Sequence, residues 1–454
     1  MNTHSVTDTS QIHEWVAAAC RDRTSPLGHC ARQWEFEHPA VDLPALMQGV
    51  SNGWYFCDSS GHEQCGLGIA KRWRWTSAHG LADMDQERLL LQSEGLSPDT
   101  VIGGGFSFGA PSERDRTWDA FGYTQWMLPA IFIDQDNGRA RVRVTVYAKG
   151  GQSQDLLPDY YAKLWALIEH PAAQNDKAAR VLSQHMAPPS EKWMDLVADA
   201  VADIRRGALD KVVVARRVDT KFSEVPAVGR ILHSLRKNNP QTTVFAIRAG
   251  GDTFLGATPE CLLAVRNGAL DTMALAGTAA RKASRAADDQ SAQALLSSPK
   301  DLREHRAVVR RITDTLSPYA DLSMPAGPEI LTLSNVHHLR TPIHGRMRQE
   351  TSLWTLAMAL HPTPAVGGEP PAAAKGWLDL HEGLNRGWYA GSVGLTNLAG
   401  SGNLWVALRS ALIRGDTAYC YAGCGIMADS DPHRELEESE WKLQAMLAAL
   451  GVNP

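Results

Sequence analysis

Near the end of the chain, Glu435, Glu438 and Lys442 stand at i, i+3 and i+7 within the stretch Ser430–Leu447. On a helix these three side chains share one face. A carboxylate and an ammonium about one turn, roughly 6 Å, apart suit a site that holds a hard cation beside an anion. The plainer alternative is a solvated face carrying an i, i+4 Glu-to-Lys pair. Other polar residues upstream need the same partner. Lys211 opens the β-branched run Asp210–Val218. A strand-end lysine ordinarily extends to water, but one held in a cleft loses solvation and becomes a plausible base. Glu260 follows Thr258-Pro259 between the apolar runs FLGAT and CLLAV. Burial there favours the protonated carboxyl, the form a general acid needs, whereas an edge position would leave it facing solvent. Arg409, inside VALRSAL, needs an anion, from the protein or from a ligand. Glu304 flanks the apolar stripe of KDLREHRAVVRRITDTL much as Glu438 flanks the last one.

The elements that position these groups are legible in outline. Asp431-Pro432 is a helix-entry signal, and Leu436, Leu443, Leu447 and Leu450 recur at helical spacing after it. A second helix runs over KDLREHRAVVRRITDTL on Leu302, Val309, Ile312 and Leu316, with His305 a structural hydrogen-bonder. A third is capped by Ser190, runs through Arg206 and stops at Gly207. Strands are expected at Asp210–Val218, TVFAIRA and FLGATPECLLAV, and at RGWYAGSVGL paired with NLWVALRSALI, the last pair holding Tyr389 and Arg409 in a sheet interior. Gly277 and Thr278 end the strand MALAGTAAR with small residues that admit a ligand close to backbone N–H groups, and Gly423 and Gly425 do the same in YCYAGCGIM. His337 and His338 are adjacent on a strand, so they face opposite sides and do not chelate one metal together. His361–Ala374 is a Pro/Gly-dense loop shaped to line a pocket. VIGGGFSFG lacks a phosphate-loop ending, so its glycines are assigned to close backbone approach. Ala172–Pro189, polar and proline-bearing, is expected to be a linker, and Met1–Asp99 carries a helix near Gln11–Arg21 and Trp-rich short strands but no assignable chemistry.

Bulk composition narrows the class. A chain of 454 residues buries a large core, as one α/β unit or two smaller ones. A net charge of −5, with only short basic runs, gives no support for nucleic-acid binding. There is no run of eighteen apolar residues and no charged-then-apolar leader at Met1–Thr24, so the expectation is a cytoplasmic protein without membrane contact. Seven cysteines without a CxxC pair argue against a disulfide framework and a zinc ribbon. Cys57, His62 and Cys65 lack a fourth ligand, and Cys420 and Cys424 share one face of an apolar strand as core. Together, acids on separate helices, a strand lysine, a strand glutamate and an arginine suit a compact dianion held by one divalent ion. Carboxylates without Cys or His ligands favour magnesium over zinc.

Ten segments, DKVVVARR, LGATPE, LAGTAAR, KDLREH, NVHHLRT, HPTPAVGG, RGWYAGSVG, VALRSA, YAGCG and SDPHRELEES, occur in an order that resembles the chorismate-utilising enzymes, and within them the isochorismate synthases. The resemblance runs from about Val101 to the end, and Met1–Asp99 matches weakly. It implies a single α/β (α+β) fold of large, mostly antiparallel sheets with helices outside. In that fold residues 1–100 form a family-variable part and residues 101–454 the chorismate-binding catalytic domain. It also implies a magnesium-dependent conversion of chorismate to isochorismate, with Lys211 as the base that activates water for attack at C2 and Glu260 as the acid that protonates the departing C4 hydroxyl. By the same resemblance Glu304 and Glu438 are metal ligands with Glu435 outside them. Arg409 and Tyr389 take the enolpyruvyl carboxylate, and Gly277, Thr278, His338, Gly423 and Lys442 line the pocket. A monomer is expected. The nearest alternative is a salicylate synthase, which goes on to eliminate pyruvate. Aminating relatives typically read PIAGT, and the anthranilate branch lacks the base lysine, so MALAGTAAR and Lys211 point to water as nucleophile. Ser392, where proline is usual, and Cys424, where alanine is commoner, depart from the pattern.

Overall fold

The computed structural model describes residues 9–21, 29–110, 115–149, 156–171 and 177–452. Its strands form two antiparallel sheets, one of twelve strands and one of ten, stacked face to face. Period-two alternation builds the interior. In the strand Gly53–Cys57, Trp54 and Phe56 join the aromatic core between the sheets, while Tyr55 and Cys57 join the core beneath the helices. Phe245 and Ile247 alternate in the same way with Val244 and Ala246 in the neighbouring strand Thr243–Ala249. Strands from before residue 100 enter both sheets, with Trp54 opposite Ile247 in the larger and Trp73 opposite Trp126 in the smaller. Among the described residues no helix is long and apolar enough to cross a membrane.

Close approach of the backbones depends on VIGGGF, which forms the strand Val101–Phe106. A Cβ on Gly103 would lie 2.5 Å from the Trp54 ring, and one on Gly104 would lie 2.1 Å from the Gln125 carbonyl oxygen. The glycines are therefore packing residues, and the chain has no phosphate loop here.

Two of the junctions at which the chain passes from one sheet to the other carry site residues. The strand Asp252–Thr258 belongs to the larger sheet and Cys261–Arg266 to the smaller, so Pro259-Glu260 is the crossing. Similarly, Gly402–Val406 lies in the smaller sheet and Ser410–Arg414 in the larger, and Arg409 sits between them at φ 49°. This corrects the expectation that Glu260 and Arg409 lie within strands, and Tyr389 likewise sits in the turn before the strand Ser392–Asn397. The apolar runs read as continuous because both of their ends are buried, and periodicity does not register a change of sheet.

Other expectations are corrected at element ends. Of the supposed linker Ala172–Pro189, residues 172–176 lie outside the described residues, and Val181–Ala187 is an edge strand paired with Lys211–Phe222. Its exposed polar side chains gave it the composition of a loop. Ser190 opens the helix Ser190–Arg205 but does not cap it: Pro189 is the N-cap and the Ser190 hydroxyl points to Met186 Sδ at 3.5 Å. The helix Pro299–Leu316 buries His305, Val308, Ile312 and Leu316, while the stripe read from sequence had Leu302 and Val309. The helix Pro432–Leu450 buries Glu435, Ser439, Leu443 and Met446, leaving Leu436 and Leu447 half-buried. Both helices are turned because they cover a polar cavity.

Gly104→Ala should destabilise the protein by roughly 1–3 kcal/mol through overpacking against backbone. A denaturant midpoint equal to that of the parent protein would contradict this account of the glycine run.

Candidate active site

One cavity opens where the sheet junctions meet the two acidic helices. Of the twelve residues singled out from the sequence, all but Lys211 line it. Lys211 stands just behind the wall, buried, with its Nζ donating to Glu304 Oε1 at 2.6 Å. The missing side chain of Gly425 makes room for this pair, since a Cβ there would lie 2.7 Å from both Lys211 Cε and Glu304 Oε1.

Each junction fixes one polar group. Glu260 is 3% exposed, and burial pushes its carboxyl up to about 8 against the pull of Lys211, Lys442 and Arg409. Arg409 Nη2 lies 2.8 Å from His338 Nε2. The Tyr389 ring stacks on Tyr421 with centroids 5.1 Å apart, and burial holds its phenol up at about 12. Gly423 keeps space beneath that phenol, for a Cβ would fall 3.1 Å from the Tyr389 hydroxyl. Gly277 adopts φ 84°, and Thr278 Oγ1 lies 3.2 Å from His338 Nδ1.

The acidic side of the cavity comes from two helices. Glu304 projects from Pro299–Leu316, and Glu435 and Glu438 from Pro432–Leu450. Each carboxylate has a lysine against it: Lys211 on Glu304, Lys442 on Glu438 at 2.6 Å and Lys300 on Glu435 at 3.3 Å. Burial raises the Glu304 carboxyl, but the charges of Lys211, Lys442 and Lys300 outweigh it and hold the group below its ordinary range. Burial, reinforced by the neighbouring Glu438, raises Glu435 despite Lys300. Burial would lower Lys442, yet Glu438 reverses that and raises it; its Nζ also donates to the Gly423 carbonyl at 2.9 Å.

This donor set fits a hard divalent cation. Glu435 and Glu438 bring carboxylate oxygens within 4.8 Å of each other and crowd each other strongly enough that a positive charge relieves them, while Glu304 stands outside that group, hydrogen-bonded to Lys211. Cys424 Sγ also lies within 4.8 Å of the nearest oxygens of Glu435 and Glu438, but it donates to the Glu435 carbonyl and packs in the core under the helix Ser190–Arg205. The alternative set Cys57, His62 and Cys65 does not assemble: His62 pairs with Asp134 at 2.6 Å, and Cys65 packs on Met47.

Sequence reasoning missed part of the cavity. Lys300 and Asp301 lie one turn before Glu304 on the same helix face, a spacing available in KDLREH. Arg386 is 3% exposed and paired with Glu382 at 2.6 Å, while Glu382 accepts from Ala215 N and Arg386 donates to the Val366 carbonyl. That pair ties the loop after His361 to the strand of Lys211. Its i, i+4 spacing looks like any surface pair, so nothing in the sequence marked it as buried. His305 behaves as expected, lying 2.7 Å from Thr341 Oγ1 and 3.2 Å from the Ala276 carbonyl.

Comparison with known proteins gives the family of the chain. The sequence pattern of the family described as "Chorismate binding enzyme" matches residues 19–451. The salicylate biosynthesis isochorismate synthase of Pseudomonas aeruginosa is 38% identical over 352 residues, covering 77% of this chain and 74% of that protein. The isochorismate synthase MenF of Bacillus subtilis is 33% identical over 363 residues, covering 80% and 76%. Among solved structures, the menaquinone-specific isochorismate synthase MenF of Escherichia coli superposes with a TM-score of 0.82 at 26% identity, covering 97% of this chain and 99% of that one. Anthranilate synthase component I of Streptococcus pneumoniae, at 20% identity and a TM-score of 0.66, shares the fold. With a family pattern spanning nearly its whole length, this chain belongs to the chorismate-binding enzymes.

Proposed function

We propose that this protein is an isochorismate synthase, an isomerase that moves the hydroxyl of chorismate from C4 to C2. The observation that carries the reading is a single cavity lined by the buried Glu260, Arg409 and a lysine-compensated carboxylate cluster, with the buried Lys211 directly behind its wall. In the reaction, the Lys211 ammonium first gives up to solvent the proton it directs at Glu304, and the neutral amine then takes a proton from a water whose oxygen bonds to C2. The ring diene carries the electron pair toward C4, and Glu260 gives its proton to the C4 hydroxyl, which leaves as water. One water enters and one leaves, so the net change is an isomerisation. Arg409 pairs with the enolpyruvyl carboxylate, with Tyr389 beside it, a contact a planar guanidinium makes well. Gly277, Thr278, His338 and Gly423 shape the walls. Glu304 and Glu438, with Glu435 behind them, would hold a magnesium ion whose charge neutralises the ring carboxylate. The seven free cysteines fit a reducing, cytoplasmic setting.

Incubation with chorismate and magnesium followed by product chromatography should give isochorismate. Salicylate with pyruvate would instead select the salicylate synthase reading, and an unchanged substrate would end both. Lys211→Ala and Glu260→Gln should each abolish turnover while circular dichroism stays that of the parent protein. Activity at parental level in either variant removes that residue from the mechanism.

The raised Glu260 carboxyl makes two pH predictions. As the acid must carry its proton, activity should fall as pH rises through about 8. For stability, the folded state holds the proton more tightly than the unfolded chain. Stability is therefore lost as pH rises from the ordinary carboxylate range toward about 8, and Glu260→Gln abolishes that loss. Above that pH the variant should unfold at higher denaturant than the parent; equal midpoints at every pH would contradict the burial argument.

Chelation with EDTA should remove activity and added magnesium restore it, while Glu438→Ala should raise the magnesium concentration needed. Full activity in EDTA would discard the cation site.

A further inference from the structure

The cavity contains a histidine that the proposed reaction does not use. His338 is buried, and three polar groups surround its ring: Arg409 Nη2 at 2.8 Å from Nε2, and the Gly277 carbonyl and Thr278 Oγ1, each 3.2 Å from Nδ1. A guanidinium only donates, so Nε2 must accept. The single ring proton then sits on Nδ1, where the Gly277 carbonyl, which only accepts, is within reach.

That carbonyl is available because of a β-bulge. Between the strands Ala269–Ala280 and Val336–Met347, Ala276 pairs with Leu339 and Thr278 with His338, leaving Gly277 as the extra residue. Its φ of 84° belongs to the left-handed region, which favours glycine. Arg409, at φ 49°, also has a left-handed backbone, unusual for a residue with a long side chain. Its direction is therefore set by the sheet junction at its Cα and by His338 at its far end. Burial, followed by the Arg409 charge, holds the imidazole well below its ordinary pKa and so neutral.

We propose that His338 is a positioning residue for the substrate-binding arginine: fixed as the Nδ1–H tautomer by the bulge carbonyl of Gly277, it accepts a hydrogen bond from Arg409 and takes no part in proton transfer. The role given to Arg409 rests on the isochorismate synthase reading above; the tautomer does not.

Two measurements test it. In the parent protein labelled with ¹⁵N-histidine, the ring resonances absent from His338→Gln should show a pyridine-type Nε2 and a pyrrole-type Nδ1 at neutral pH. A proton on Nε2, or an imidazolium, would overturn the proposal, and this spectrum needs no substrate. In kinetics with chorismate, His338→Leu removes the acceptor and should raise KM about ten- to a hundredfold, the range for a hydrogen bond to a charged group, with a much smaller change in kcat. His338→Gln, whose amide oxygen reaches the place of Nε2, should recover most of the loss. Equal impairment of both variants, or a fall in kcat alone, would contradict positioning. A parent protein that leaves chorismate unchanged would sink the functional reading, while the spectrum would still decide the tautomer. Should either variant misfold, the parent spectrum decides alone, with the histidine resonances assigned through Thr278 and Arg409 contacts.

Discussion

The two sheet crossings that carry Glu260 and Arg409 are hydrogen-bonded to each other, and the rest of the site depends on that contact. Val406 N donates to the Glu260 carbonyl at 3.0 Å, Thr258 Oγ1 donates to the Val406 carbonyl at 2.6 Å, and Ala257 N donates to the Arg409 carbonyl at 3.1 Å. The backbones carrying the proposed acid and the proposed carboxylate-binding arginine are thus one unit. Any shift of one sheet against the other would move both together. Preorganisation of this kind is what a site needs when its groups must face a small, rigid substrate.

Around that unit the electrostatics are balanced in pairs. Burying a lone charge is expensive, and breaking a buried pair by removing one partner is strongly destabilising. The cavity solves this with three lysine–carboxylate contacts drawn from two helices and one strand. Two acids stand outside this pairing among the described residues: Asp301, hydrogen-bonded to Ser298, and Glu260, which forms no ion pair and whose carboxyl burial pushes up to about 8. The same low-polarity setting therefore yields opposite outcomes for two acids. Glu304 stays charged because Lys211 touches it, and Glu260 holds a proton because nothing does. Such a separation is the physical basis for assigning acid and base roles on one fold.

The sequence made the helix faces legible because i, i+3 and i+7 spacing survives any detail of packing; Glu435, Glu438 and Lys442 do reach one cavity. It also made legible the small residues at Gly277, Gly423 and Gly425, whose use is local. Less visible were features that depend on which sheet a strand joins. In FLGATPECLLAV the mark was Pro259, which a continuous central strand does not accommodate, whereas NLWVALRSALI has no such break at the point where it leaves one sheet for the other. Ser190 reads as a cap from its type alone, but Pro189 already supplies the extended residue before the helix. Arg386 and Glu382 read as a surface pair, and only the loop folding over them buries the pair and makes Arg386 part of the cavity wall. Val181–Ala187 looks like a linker since an edge strand exposed on both faces has no apolar period to display.

The central claim is that a lysine and a glutamic acid move protons at two hydroxyls in this cavity, one entering from water at C2 and one leaving as water from C4. Turnover of chorismate in ¹⁸O-enriched water tests it most directly. The account predicts isochorismate labelled at the C2 hydroxyl, with the original C4 oxygen released to solvent. An isochorismate product carrying no label would mean that the hydroxyl migrates without water, and would contradict it.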